Sequence, residues 1–159
     1  MVELKYKLGN ALEPEETGLK YIIHVCNDIG AYGSGFVAAI ANKWPIAKLA
    51  YLQWYKAKIS FALGQVQFVQ VESDIVIVNM IAQHLIGYDE DGGPCIRYQA
   101  LEECLNKVAN KISETGGCVI CPYKMGSERS GGRWEEVEKL LTKCLVDKNI
   151  NVTAYELKL

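Results

Sequence analysis

His24-Val25-Cys26-Asn27-Asp28-Ile29-Gly30-Ala31-Tyr32-Gly33-Ser34-Gly35-Phe36 is the stretch on which the reading of this chain turns. The run that leads into it, residues 20–26 (Lys-Tyr-Ile-Ile-His-Val-Cys), is almost continuously apolar and holds β-branched residues. That is the pattern of a buried strand. Gly30, Gly33 and Gly35 break the run, and a helix is expected from near Ser34 and Gly35, with Phe36, Val37, Ala39 and Ile40 turned toward the core. A glycine-rich turn between strand and helix lets backbone approach a ligand closely, and the helix N-terminus adds N–H groups and partial positive charge. The stretch therefore reads as a cradle for an anion, with phosphate the natural candidate.

Working outward, Pro45 disfavours helical geometry at Trp44 and closes the first helix. A second helix is expected over residues 46–58, carrying Leu49, Leu52 and Trp54. Residues 2–7 alternate as a short strand. Residues 65–71 and 74–82 read as two strands joined by the turn Glu72-Ser73-Asp74. The polar, glycine-containing run 84–95 reads as a loop. Leu101, Leu105, Val108 and Ile112 then form one apolar stripe of a helix over 97–115. A strand over 117–121, a loop over 122–133, a helix over 134–147 and a strand over 150–157 complete the chain. The order β-β-α-α-β-β-α-β-α-β predicts an α/β fold, a three-layer α/β/α sandwich around a central mixed sheet. Ligands of such sheets bind beyond the carboxyl ends of the strands.

A second strand-to-helix loop has the same character. Pro122-Tyr123-Lys124-Met125-Gly126-Ser127-Glu128-Arg129-Ser130-Gly131-Gly132-Arg133-Trp134 contains three glycines. Two such loops side by side suit the two phosphates of a diphosphate. The segment Gly33-Ser34-Gly35-Phe36-Val37-Ala38 also fits G-x-G-x-x-A, but a dinucleotide-binding Rossmann unit needs an acidic residue about 20 positions on. No Asp or Glu occurs between Asp28 and Glu72, and a helix rather than a strand follows. No phosphate-binding G-x-x-x-x-G-K-[ST] is present.

The 159 residues suit a single domain spanning 1–159. A net charge of −2 gives no electrostatic ground for nucleic-acid binding. No apolar run reaches the ~20 residues needed to span a bilayer, and the start of the chain lacks a signal-peptide pattern. No membrane association and a cytoplasmic location are expected. Of the six cysteines, Cys118 and Cys121 form a C-x-x-C, yet they fall on a strand where positions three apart face opposite sides. Neither histidine stands at zinc-ligand spacing. The cysteines read as buried free thiols, and neither a metal nor a cofactor is expected.

A set of short motifs in fixed order carries a resemblance. It comprises Gly9-Asn10, His24-x-Cys26-Asn27-x-x-Gly30-x-x-Gly33-x-Gly35, Asn79-Met80-Ile81-Ala82-Gln83-His84, Ile96-Arg97-Tyr98-x-Ala100-Leu101, Tyr123-Lys124-Met125-Gly126 and Gly131-Gly132-x-Trp134. The chain resembles the macrodomains nearly end to end. The branch is that of the terminal ADP-ribose protein glycohydrolases and the ADP-ribose-1″-phosphate phosphatases. The resemblance implies that ADP-ribose, or molecules carrying it, is the ligand. Gly33, Ser34, Gly35 and Phe36 would hold the distal ribose and diphosphate from one side. Gly126, Ser127, Glu128, Arg129, Ser130 and Gly131 would wrap the diphosphate from the other. Asn27 would reach the distal ribose hydroxyls. Asn10 stands where macrodomains usually place an Asp that accepts from the adenine amino group. Tyr32 and Tyr98 are candidates for apolar or stacking walls, or for plain core.

The resemblance departs where the glycohydrolases do chemistry. Their lysine falls near Gln83, which cannot form a Schiff base, and their aspartate falls at Ser130. Glu128 stands where relatives mostly have Gly. A phosphatase reading keeps Asn27, Asp28 and His84 as candidate catalytic groups, with His84 able to shuttle a proton near neutral pH. His24, in mid-strand, reads better as a satisfied core histidine. Three functions stay open: an ADP-ribose-binding module, an ADP-ribose-1″-phosphate phosphatase or de-ADP-ribosylating hydrolase in the same cleft, and a nucleotide sensor.

Overall fold

The computed structural model describes residues 2–128 and 130–157. Among these residues six strands form one sheet: β1 (Leu4–Leu8), β2 (Lys20–Asn27), β3 (Val66–Glu72), β4 (Ile75–Gln83), β5 (Cys118–Pro122) and β6 (Val152–Glu156). Their spatial order is β1-β6-β5-β2-β4-β3. All neighbours run parallel except β3, which pairs antiparallel with β4 across a tight turn. The mixed sheet expected from the order of elements is thus present.

β4 lies inside the sheet and all of it is buried, in keeping with an apolar run that only Asn79 and the terminal Gln83 interrupt. Alternate residues of the strands feed two cores. Tyr21, Ile23, Val78 and Met80 pack beneath α3 (Tyr98–Thr115) and α4 (Trp134–Cys144). Ile22, Ile75, Ile77 and Ile120 pack beneath α1 (Phe36–Lys43) and α2 (Pro45–Ala57). This gives the three layers. Cys121 falls in the first core and Cys118 against the second, so their sulfurs lie on opposite faces of the sheet. α3 presents Leu101, Leu105, Val108 and Ile112 to the core, the stripe visible in the sequence. Each such side chain contributes about 1.5–3 kcal/mol on burial.

Two details differ from the sequence reading. α2 buries Ala47 and Tyr51, whereas Leu49 is 55% exposed. Its mixed face carries no clean stripe, and the Tyr51 hydroxyl selects the orientation by bonding to the β2–α1 loop. α4 ends at Cys144 and gives way to a 3-10 turn over Val146–Lys148, closed by Asn149 at φ 65°. Among the described residues no helix is long and apolar enough to cross a membrane.

Candidate functional site

Because β2, β4 and β5 are parallel neighbours, the loops that follow them emerge at one edge of the sheet. They enclose a cleft of ≈ 370 Å³. Residues 33–37 form one wall, and Tyr123, Lys124, Gly126, Glu128 and Ser130 form the other. His24, Cys26, Asn27 and Gln83 make the floor, and Ile86 and Gly87 stand at the rim.

The first wall is the N-terminus of α1. Its cap residue, Gly35, adopts φ 71°, and neither a side-chain cap nor an acidic residue in the first turn competes for an incoming anion. A Cβ on Gly33 would meet no atom within 4 Å, so the missing side chain leaves the cleft open rather than relieving a clash. The second wall is fixed by its own turns. Gly132 N–H donates to the Gly126 carbonyl (3.0 Å) and Ser127 N–H to the Lys124 carbonyl (2.9 Å). Gly131, at φ 76°, sits so close to Pro94 that a Cβ would come within 2.9 Å of that ring. Ile96 N–H to the Ser130 carbonyl (2.9 Å) straps this loop to the segment after β4.

The floor is built from buried polar groups that satisfy one another. The Tyr51 hydroxyl donates to the Asn27 carbonyl (2.7 Å) and lies 3.0 Å from its Oδ1. Asn27 Oδ1 also accepts from Ile29 N–H (3.0 Å) and Ala31 N–H (3.1 Å), while Nδ2 donates to the Ala31 carbonyl (2.7 Å). The amide is thus largely engaged in shaping the loop, at a shift in the β2–β4 register between Cys26 and Asn27. Its second N–H takes no part in these bonds. His24 Nε2 lies 2.6 Å from Asn79 Oδ1, and burial depresses its pKa to about 4. Gln83 and Ser130 meet: the Ser130 hydroxyl donates to Gln83 Oε1 at 2.5 Å. The positions at which the resembling glycohydrolases carry lysine and aspartate are therefore adjacent in space, and here a neutral pair joins two cleft loops.

The remaining candidates divide between the cleft and its surroundings. Gly33, Ser34, Gly35, Phe36, Gly126, Glu128 and Ser130 line the cleft. Tyr32 does not: it is 3% exposed, its ring packs 5.0 Å from that of Tyr51, and its hydroxyl donates to Asn79 Oδ1 at 2.9 Å. It is core. Tyr98 accepts from Arg133 N–H (2.8 Å) at the start of α4. The Ser127 hydroxyl bonds to the Lys124 carbonyl (2.9 Å) and closes its own turn. Gly131 packs behind the wall. Arg129 lies outside the described residues. Asn10 follows β1, where its Oδ1 accepts from Leu12 N–H at 2.9 Å. Three strand spacings separate β1 from β2 in the sheet order, about 14 Å. Asp28 and His84 come together at 2.7 Å, but outside the cleft lining. Ile86 and Gly87 escaped the sequence reading, although their place just beyond the carboxyl end of a buried strand was the signal for them.

Fold and site together define an α/β sandwich with a cleft between glycine-containing loops at the carboxyl ends of parallel strands. No protein-family profile matches the chain. A macrodomain protein from Streptomyces coelicolor has a similar structure, with a TM-score of 0.84 and 38% identity over 96% of this chain and 98% of that one. A Bacteroides thetaiotaomicron protein of unknown function is similar with a TM-score of 0.95 and 44% identity, covering 98% of this chain and 99% of its own. By sequence, an ADP-ribose 1″-phosphate phosphatase of Candida glabrata is 25% identical over 182 aligned positions, 99% of this chain and 100% of that protein. The chain belongs to the macrodomain family.

Proposed function

We propose that the chain binds ADP-ribose, with the diphosphate between the start of α1 and the loop that follows β5. The observation that carries this reading is the first wall of the cleft. Gly35, Phe36 and Val37 begin a helix with no side-chain cap and no acid in its first turn, and they face a second loop held open by its own turns. Backbone N–H groups and the helix dipole favour a phosphate there. Gly33 leaves room for the distal ribose beside them, with the remaining Asn27 N–H within the same cleft. The adenosine half extends past Tyr123, which lines both the cleft and a neighbouring groove bounded by Leu8 and Glu156. Asn10, about 14 Å along the sheet edge, accepts from the adenine amino group through its second lone pair.

A second reading, turnover of ADP-ribose-1″-phosphate, is favoured by the likeness to the Candida glabrata phosphatase. The Gln83–Ser130 pair supplies no amine nucleophile where the resembling glycohydrolases carry their lysine. Calorimetric titration with ADP-ribose, NAD and ATP, followed by ADP-ribose-1″-phosphate with phosphate release monitored, separates these readings. ADP-ribose binding in preference to NAD and ATP, without phosphate release, is the expected result. Equal affinity for all three ligands would point to a nucleotide sensor, and steady phosphate release to the enzyme.

A further inference from the structure

Asp28, His84 and Glu90 form a cluster behind the cleft that holds one of its rims. His84 Nδ1 lies 2.7 Å from Asp28 Oδ2, and His84 Nε2 lies 2.8 Å from Glu90 Oε2. A neutral imidazole carries one N–H and one lone pair, so it can satisfy only one of two flanking carboxylates; the imidazolium satisfies both. The geometry is therefore built for the charged ring. In keeping with it, the bond to Asp28, then that to Glu90, raises the His84 pKa above its ordinary value.

Asp28 grips the same segment a second time. Its Oδ1 accepts from Leu85 N–H at 3.0 Å. The Leu85 carbonyl accepts from Gln83 Nε2 at 2.8 Å, and Gln83 in turn is bonded to Ser130 of the opposite wall. Leu85 stands at φ 66°, a conformation that costs a non-glycine residue about 1 kcal/mol or more and persists only when its surroundings enforce it. Ile86 and Gly87 follow directly and line the cleft. Farther along the loop, Asp89 pairs with Arg97 (2.9 Å) and accepts from Gly93 N–H (2.8 Å), so that part is anchored without His84. The charged groups around the imidazole are thus Asp28 from the β2–α1 loop, Glu90 from its own loop, and the Asp89–Arg97 pair nearby.

We infer that Asp28 and His84 are positioning residues: with Glu90 they clamp the strained Leu85 and so set the Ile86–Gly87 rim, and ADP-ribose affinity falls as His84 gives up its second proton. Neither residue needs to touch the ligand. The inference rests on the binding reading above and assigns its pH dependence to one side chain.

The chain contains two histidines, so imidazole resonances of the intact protein can be followed individually by NMR. ADP-ribose carries no group that titrates over the range in which His84 changes charge. The test is to measure the Kd for ADP-ribose from about pH 6 to about pH 9 in the wild type and in His84→Gln, with the His84 titration recorded with and without ligand. Wild-type affinity should weaken by about fivefold or more across the range, ADP-ribose should move the His84 midpoint upward by the matching amount, and His84→Gln should give a flat Kd. A flat wild-type Kd, or the same slope in His84→Gln, overturns this inference and leaves the binding reading standing. No binding at any pH overturns the binding reading and this inference with it.

Discussion

Acidification should unfold this protein through His24 before any carboxylate contributes. Asn79 Nδ2 faces the Ala47 carbonyl (3.4 Å) and Gln67 Oε1 (3.0 Å). A carbonyl only accepts, so Asn79 Oδ1 must be the atom turned toward His24, and His24 Nε2 carries the proton that bonds it. The ring is then neutral and enclosed. Burial depresses its pKa from 6.5 to about 4, against the opposing pull of the Asn79 bond. In the unfolded chain the imidazole takes up a proton near its ordinary value; in the folded protein it resists. This contribution to stability is complete above pH 6.5 and is lost as the pH falls toward about 4. At about 1.4 kcal/mol per pH unit the loss comes to about 3 kcal/mol, a large part of the net stability of a small domain. Glu16 and Asp89 are held below their ordinary 4.5 and 3.8, so their losses fall in more acidic solution. His84 acts in the opposite window: its raised pKa gives stability that is present below the ordinary value and fades as the pH rises through the folded one. Urea unfolding at several pH values between about 7 and 4.5, with His24→Gln alongside, measures the effect. The variant should be less stable than the wild type at neutral pH but lose less on acidification. Equal losses in both proteins, or a folded-state His24 resonance titrating near pH 6.5, would refute the reasoning.

Other perturbations follow from the same geometry. Tyr51→Phe removes a hydroxyl that bonds Asn27 and accepts from Gly30 N–H at 3.2 Å; it should lower stability by about 1–2 kcal/mol and weaken ADP-ribose binding, as read by thermal melts and calorimetry. Ser130→Ala leaves the buried Gln83 Oε1 without its 2.5 Å partner; a loss of about 1–3 kcal/mol in urea unfolding is expected, and restoration by Ser130→Thr would assign that loss to the hydroxyl.

Much of the fold was legible because it is written in periodicity. The buried runs of β2 and β4 and the 4-3-4 stripe of α3 announce themselves, and the glycines before α1 and α4 mark the loops that bound the cleft. What the sequence hid was pairing across the fold. Tyr32 read as a possible wall, yet a phenol next to glycines cannot be placed until Asn79, 47 residues away, supplies its partner. The amide of Asn27 looked available because Tyr51, its main competitor, lies on a helix whose buried face shows no clean stripe. Gln83 and Ser130 gave no sign of touching, being 47 residues apart. Asp28 and His84 read only as separate candidate catalytic groups, and it is the structure that turns them to each other, 2.7 Å apart and outside the cleft lining.

The central claim is that a diphosphate lies against the start of α1. Gly35 is a poor probe of it, since φ 71° would strain any substituted side chain and confuse folding with binding. Gly33 lacks that conformation, a Cβ added to it would have no neighbour within 4 Å, and it lines the cleft. Titration of ADP-ribose by calorimetry into the wild type and Gly33→Val, both verified as folded by circular dichroism, therefore tests the claim most directly. The wild type should bind, and the variant should bind at least about tenfold more weakly, a difference of about 1.4 kcal/mol. Equal affinity in the two proteins, or no binding to the wild type, would contradict it.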